Sequence, residues 1–158
     1  VGAGGLNVLA YRLSAAERAV TQLLAAALAT EQVTVEQWRI LAALSDGHGH
    51  SMGDLAAAVL MPHPTLTKAV DKLVDDALVY RRQDDADRRR VAVYLSDRGR
   101  ELCRRLDAVV AEHQKALEAA VGRTVSARLM RDLARVAALG SYPGGSYPGG
   151  SYPGAHGD

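Results

Sequence analysis

The sequence predicts a mainly α protein with a small β-hairpin wing: a winged helix-turn-helix flanked by longer N- and C-terminal helices. Two short helical patterns over residues 51–76 are separated by Met61-Pro62-His63-Pro64. Two runs of strand-forming residues then enclose a charged stretch, QDDADRRR. Apolar seams at helical spacing flank this centre, each longer than a small module needs for its own core.

Composition sets the limits. Of 158 residues, 48% are hydrophobic, which suits one domain with a core plus extensions. That core must be built from Leu, Ala and Val, because there is no Phe and only one Trp. The net charge of +1 excludes a general polyanion binder, so any nucleic-acid site must arise from local placement of charge. Residues 80–105 supply such a place, with nine arginines against five acids. The single Cys excludes an internal disulfide. No apolar run reaches the roughly 20 residues that span a bilayer. The N-terminal residues lack the pattern of a secretory signal, so a cytoplasmic protein is expected.

Residues 1–5, VGAGG, are small and expected to fray. Leu6, Leu9, Leu13, Ala16, Val20, Leu23 and Ala27 recur at spacings of three and four, predicting a helix over residues 6–29. Its length suits packing on a partner subunit. Thr34-Val35-Glu36-Gln37 matches a capping box, in which Thr34 caps the first turn and Gln37 reaches back. Trp38, Leu41 and Leu44 form the expected buried stripe of this second helix, which stops in SDGHGH. Ser51, with Asp54 three residues on, caps a third helix carrying Leu55, Ala56, Val59 and Leu60. The prolines end it, because proline cannot continue the backbone ladder. Pro64 suits the first turn of a fourth helix reaching about Asp76. Leu66, Ala69, Val70 and Leu73 face inward there, with Val74 beside them. Thr65, Thr67, Lys68, Asp71, Lys72 and Asp75 are left on the other side, which completes a helix-turn-helix.

Ala77-Leu78-Val79-Tyr80 leads into a strand through Arg82, and Val91, Val93 and Leu95 alternate with Ala92 and Tyr94 on the return strand. The residues between form a solvated tip. Ser96 caps a fifth helix, carried to Val121 by the seam Leu102, Leu106, Val109, His113, Leu117 and Ala120, and Gly122 ends it. A last helix from Val125 or Ser126 sets Leu129, Met130, Leu133, Val136 and Ala137 on one face. The first and last helices thus offer apolar faces to a second copy of the chain. From Gly140 the composition changes to three Ser-Tyr-Pro-Gly repeats, which suit turns and cannot build a core.

This layout points to double-stranded DNA. Hydroxyls of Thr65 and Thr67 can bond phosphates or base edges, and Lys68 and Lys72 can reach guanine acceptors or phosphate oxygens. The free N–H groups of the helix N-terminus add attraction for phosphate. In the hairpin, Arg89 is the candidate for a minor-groove finger, since a narrow A·T-rich groove draws in an arginine. Arg88 and Arg90 suit phosphates. A charge run by itself is usually a solvated surface, but this one follows a helix-turn-helix.

The residues VTVEQWRILAAL, GDLAAAVLMPHPTLTKAVDKLVDDALVYR and DRRRVAVYLSDRGRE resemble the MarR-type (multiple-antibiotic-resistance regulator) family of transcriptional regulators. The likeness covers about residues 6–139; its most specific part is the wing, Asp87-x-Arg89, followed by Leu95-Ser96 and Gly99-Arg100. It implies a flexible N-terminus (1–5), a winged-helix domain (6–139) and a flexible tail (140–158). Within the domain, a DNA-binding lobe (30–100) would lie between dimerisation helices (6–29 and 101–139). It implies a homodimer that represses transcription from a pseudo-palindromic operator, with Asp87 bracing the wing by pairing with Arg89. It also implies a small, often phenolic, effector bound between the dimerisation and DNA-binding regions, where Tyr11, Arg18, Trp38 and His63 are the residues to expect. No cofactor is implied.

Other signals are weaker. Arg104 and Arg105 beside Cys103 could lower its pKa, which leaves a redox-sensing regulator as an alternative. However, a lone helical Cys is more often a small buried apolar residue, and hydroperoxide sensors of the resembled family carry theirs near the N-terminus. His48, His50 and His113 lack partners at zinc-ligand spacing. No Gly-rich phosphate loop, G-x-S-x-G elbow or H-E-x-x-H motif supports an enzyme. A winged-helix module that binds protein partners, with the tyrosine repeats as a contact tail, is the remaining alternative.

Overall fold

In a computed structural model of the chain, residues 8–83 and 91–139 are described. They form, in order, α1 (Leu9–Leu28), α2 (Val35–Ala43), β1 (His50–Ser51), α3 (Met52–Val59), α4 (His63–Asp75), β2 (Val79–Gln83), β3 (Val91–Leu95), α5 (Asp97–Val121) and α6 (Arg123–Leu139). Short 3₁₀ turns close α1 and α2. The chain divides into two compact units, Val1–Gln114 and Lys115–Asp158, and the division falls inside α5. The expected frayed start (1–5), Leu6, the wing tip and the tail from Gly140 lie outside the described residues. Among the described residues, no helix is long and apolar enough to cross a membrane.

In the first unit the cap chemistry read from the sequence is realised. The Thr34 hydroxyl accepts from the Gln37 N–H at 3.2 Å while the Gln37 side chain accepts from the Thr34 N–H at 3.0 Å. Ser51 accepts from the Asp54 N–H at 3.1 Å. The core gathers Leu28, Ile40, Leu41, Leu44, Leu55, Leu66, Val70 and Leu73 from four helices, and Val93 and Leu95 from the sheet. Each fully buried Leu contributes roughly 1.5–3 kcal/mol over leaving it in water. Trp38 is only half-buried; Val35 and Ile40 take the inward places beside Leu41 and Leu44.

The sheet holds one strand more than the hairpin. β3 is central, with β2 on one side and the two-residue β1 on the other, both antiparallel. His50 therefore pairs with Val93, and the SDGHGH segment is part loop and part strand. Two residues are too short for alternation to reveal. The return strand also departs from simple alternation. Ala92 is buried opposite Ser51, while Val91, at the outer end, is exposed.

Two expectations at the helix ends change. Leu60 does not join the buried face of α3. It adopts a left-handed backbone (φ 53°), caps α3 through its N–H to the Ala56 carbonyl, and is 87% exposed. His63 is the first residue of α4 rather than a turn residue before it, with Pro62 as N-cap and Pro64 in the first turn.

The Leu102–Leu106 seam is buried, but burial fades along α5 through half-buried Val109, His113 and Leu117 to exposed Ala120. In the second unit Gly122, at φ 88°, donates its N–H to the Glu118 carbonyl and accepts from the Ser126 N–H. One residue thus ends α5 and starts α6, so α6 begins two residues before the expected Val125. Val125, Leu129, Met130 and Leu133 are exposed there, as Leu9, Val20 and Leu23 are on α1.

Candidate nucleic-acid interface

The sequence of α4 makes a two-faced helix. Leu66, Val70 and Leu73 are fully buried, so helical geometry turns Lys68 directly outward. Thr65, Lys68 and Lys72, at spacings of three and four, form one exposed stripe. Thr67 shares a second stripe with Asp71. The Thr67 hydroxyl donates to the His63 carbonyl at 2.9 Å, which leaves its oxygen as an acceptor toward a ligand and removes it as a phosphate donor. No side chain caps the N-terminus of α4, so the N–H groups of His63 and Thr65 stay open, while Pro64 has none. Lys72 donates to the Asp76 carboxylate at 2.8 Å, and this hydrogen bond holds the ammonium above its ordinary pKa. Contact between Lys72 and a phosphate would compete with that bond.

The stem of the hairpin is tied to α4. The Arg81 guanidinium on β2 donates to the Asp71 carboxylate at 2.6 Å and offsets an acid that would repel phosphate. On the other face of the hairpin, Tyr80 and its cross-strand partner Tyr94 stack with ring centroids 5.5 Å apart. Arg82 stands over the Tyr94 ring, 4.7 Å from its centroid. The same ring lies so close to Gly49 that an added Cβ would meet its Cζ at 2.2 Å. None of these contacts was anticipated from the sequence. Their one trace in the sequence is the two-residue spacing of Tyr80 and Arg82, which puts both on one face of the strand. Asp87, Arg88, Arg89 and Arg90 lie outside the described residues.

The four residues expected around an effector are dispersed. Trp38 lines a groove of about 680 Å³ with Glu17, Arg39, Ala42, Ala43, Ala58, Val59 and Leu60. Glu17 and Arg39 face each other across it at 3.8 Å. Tyr11 and Arg18 are exposed on α1 and His63 is exposed at the start of α4; none of them is among the walls of that groove. A larger groove of about 780 Å³ runs beside the end of α4, where Lys72 and Asp76 share the wall with Glu31, Arg98, Glu101 and Arg105. Its charges balance, three of each sign, and Arg105 already pairs with Glu31 at 2.9 Å.

Cys103 is buried, with Sγ 3.8 Å from the Leu41 carbonyl. Burial, then the nearby Asp107 carboxylate, pushes its pKa up, opposite to what an activated thiol needs. The flanking arginines turn away, Arg104 to Glu101 and Arg105 to Glu31. Asp46 accepts from the His48 N–H at 2.9 Å and approaches His50 Nε2 at 2.8 Å. The His48 bond, then that to His50, holds its carboxyl below the ordinary value against the opposing effect of burial. Those two histidines thus share a structural loop carboxylate, and His113 lies apart from them on α5.

A family model described as "MarR family" matches residues 31–90, the span from the end of α1 into the wing. The HTH-type transcriptional regulator FarR of Neisseria gonorrhoeae is 32% identical over 101 residues, 64% of this chain and 68% of that protein. Among solved structures, the transcriptional repressor CouR bound to a 23-mer DNA duplex superposes with a TM-score of 0.78 at 27% identity, covering 87% of this chain and 98% of that one. NadR in complex with 4-hydroxyphenylacetate gives a TM-score of 0.75 at 26% identity, covering 85% and 98%.

Proposed function

This chain belongs to the MarR family of DNA-binding transcriptional regulators, and we propose that it is a homodimeric repressor released from its operator by a small aromatic molecule. The observation that carries the proposal is the outward face of α4. An uncapped N-terminus and the Thr65-Lys68-Lys72 stripe sit over a helix locked by three fully buried residues, beside a hairpin stem pinned to the same helix. Lys68 and the open N–H groups meet phosphate, Thr65 and Thr67 approach base edges, and Lys72 joins once Asp76 releases it. The wing adds Arg89 to the minor groove, braced by Asp87, with Arg88 and Arg90 on phosphates. The likeness to a repressor held on a DNA duplex supports this reading.

Dimerisation follows from the apolar residues that the first and last helices leave exposed, Leu9, Val20 and Leu23 on α1 and Val125, Leu129 and Met130 on α6. A two-fold dimer sets half-site centres roughly 34 Å, or about 10 bp, apart. The effector site is the groove beside Trp38, which pairs an aromatic wall with the Glu17–Arg39 rim and lies within the roughly 300–1,000 Å³ usual for small ligands. A phenolic acid fits it chemically, as the 4-hydroxyphenylacetate complex of NadR suggests. Tyr11, Arg18 and His63 would complete it only by approaching from outside its present walls. The test is binding to the chain's own promoter region as a function of salt. A specific complex that weakens steeply with salt and has the mass of two chains per site supports the reading; salt-independent binding, or none, removes it.

A further inference from the structure

Arg81 and Arg82 are neighbours in sequence with opposite tasks. Successive side chains leave a strand on opposite faces. Arg81 turns toward α4 and gives its charge to Asp71, 2.6 Å away. Arg82 turns to the other face of the sheet and stands over the Tyr94 ring, 4.7 Å from its centroid. That ring is itself held from two sides. Tyr80 stacks on it with centroids 5.5 Å apart and 14° between the planes. Gly49 lies so close that a Cβ there would displace it.

A cation over an aromatic face at an exposed site gains little, about what is lost in immobilising a long side chain. The stack therefore contributes direction rather than fold stability. It occupies the face of the guanidinium and uses none of the N–H donors at its edge. Position along the strand matters as well. Arg82 is one residue from the end of β2, on the side of the stem toward the tip. With α4 in the major groove and the hairpin directed at the adjacent minor groove, this part of the stem crosses the phosphates between the two grooves. The Arg81–Asp71 bridge on the opposite face holds the stem to α4. We propose that Arg82 is a further DNA-contacting residue, bound to a backbone phosphate, and that Tyr94, seated against Gly49 and Tyr80, is its positioning residue. Such a contact adds affinity without sequence preference. The inference rests on the DNA-binding reading of α4 and the wing.

Binding of the full-length protein to its own promoter region, measured over a range of salt, tests both roles. Arg82→Ala should weaken binding about fivefold at roughly 0.15 M salt and lower the salt slope by about 1, the counterion release of one phosphate contact. Tyr94→Phe keeps the ring and should match the parent. Tyr94→Leu should weaken binding severalfold, yet cost nothing further in a chain that already carries Arg82→Ala. Gly49→Ala displaces the ring without removing it and should reproduce that loss, which keeps the positioning role testable if Tyr94→Leu does not fold. Arg82→Ala with the parent's affinity and slope would overturn the phosphate contact. A loss from Tyr94→Leu or Gly49→Ala that persists in full without Arg82 would make the ring structural and overturn its positioning role. A parent protein whose binding does not fall steeply with salt would instead sink the DNA-binding reading, and this inference with it.

Discussion

The Asp71 carboxylate on α4 and the Arg81 guanidinium on β2, 2.6 Å apart, couple the recognition helix to the wing stem. Both side chains are partly exposed, so the pair should contribute only about 0.2–1 kcal/mol to folding. Its larger effect is on the charge presented to DNA. Arg81→Ala leaves an unpaired acid beside Lys68 and should weaken operator binding by about 1 kcal/mol; adding Asp71→Asn should recover most of that loss. Fluorescence anisotropy on the four proteins of this cycle reads the coupling, and strictly additive losses would show that the bridge does not act on DNA.

Lys68 and Arg89 separate two kinds of contact. Lys68→Ala should weaken binding to all sequences alike and lower the salt slope by about 1, as for a phosphate contact. Arg89→Ala should cost roughly 1–3 kcal/mol, concentrated on sites with A·T pairs beneath the wing. Competition assays at fixed salt with A·T- and G·C-flanked operators measure the difference. An unchanged affinity for both would remove the wing from recognition.

Gly99 closes the join between wing and α5. Its N–H donates to the Ser96 hydroxyl at 2.9 Å, and that hydroxyl donates to the Ala77 carbonyl at 2.7 Å. A Cβ on Gly99 would stand 2.1 Å from the Leu78 carbonyl oxygen, which is backbone and cannot swing aside. Gly99→Ala should therefore destabilise the fold by about 1–3 kcal/mol. Thermal unfolding followed by circular dichroism checks this. A melting temperature equal to the parent's would mean that the helix start yields more easily than its packing implies.

Cys103 gives a pH-dependent prediction. Its pKa is raised from an ordinary 9.0, so folding favours the neutral thiol. That contribution is fully present below pH 9.0 and is lost as pH rises through the higher folded value. At pH 8 a disulfide reagent should modify the native protein much more slowly than the urea-unfolded chain. Cys103→Ser should leave DNA release by peroxide unchanged. Rapid native labelling would reopen a redox role.

What was legible in the sequence was what acts over three or four residues. The Thr34 and Ser51 caps, the proline break, the inward Leu66, Val70 and Leu73, and the Gly122 stop are written in periodicity and cap chemistry, and the chain realises each of them. The resemblance in the wing motif likewise pointed to the family. The rest belongs to contacts between distant positions. Arg81 meets Asp71 across 10 residues and Cys103 meets Leu41 across 62. β1 exists only because Val93 and Ala92 come alongside His50 and Ser51. Leu60 is turned outward by the helix cap it forms, although its apolar character alone placed it inside. Local pattern sets which face of each element is apolar; only the packed chain decides which of those faces meet, and which remain open for a partner.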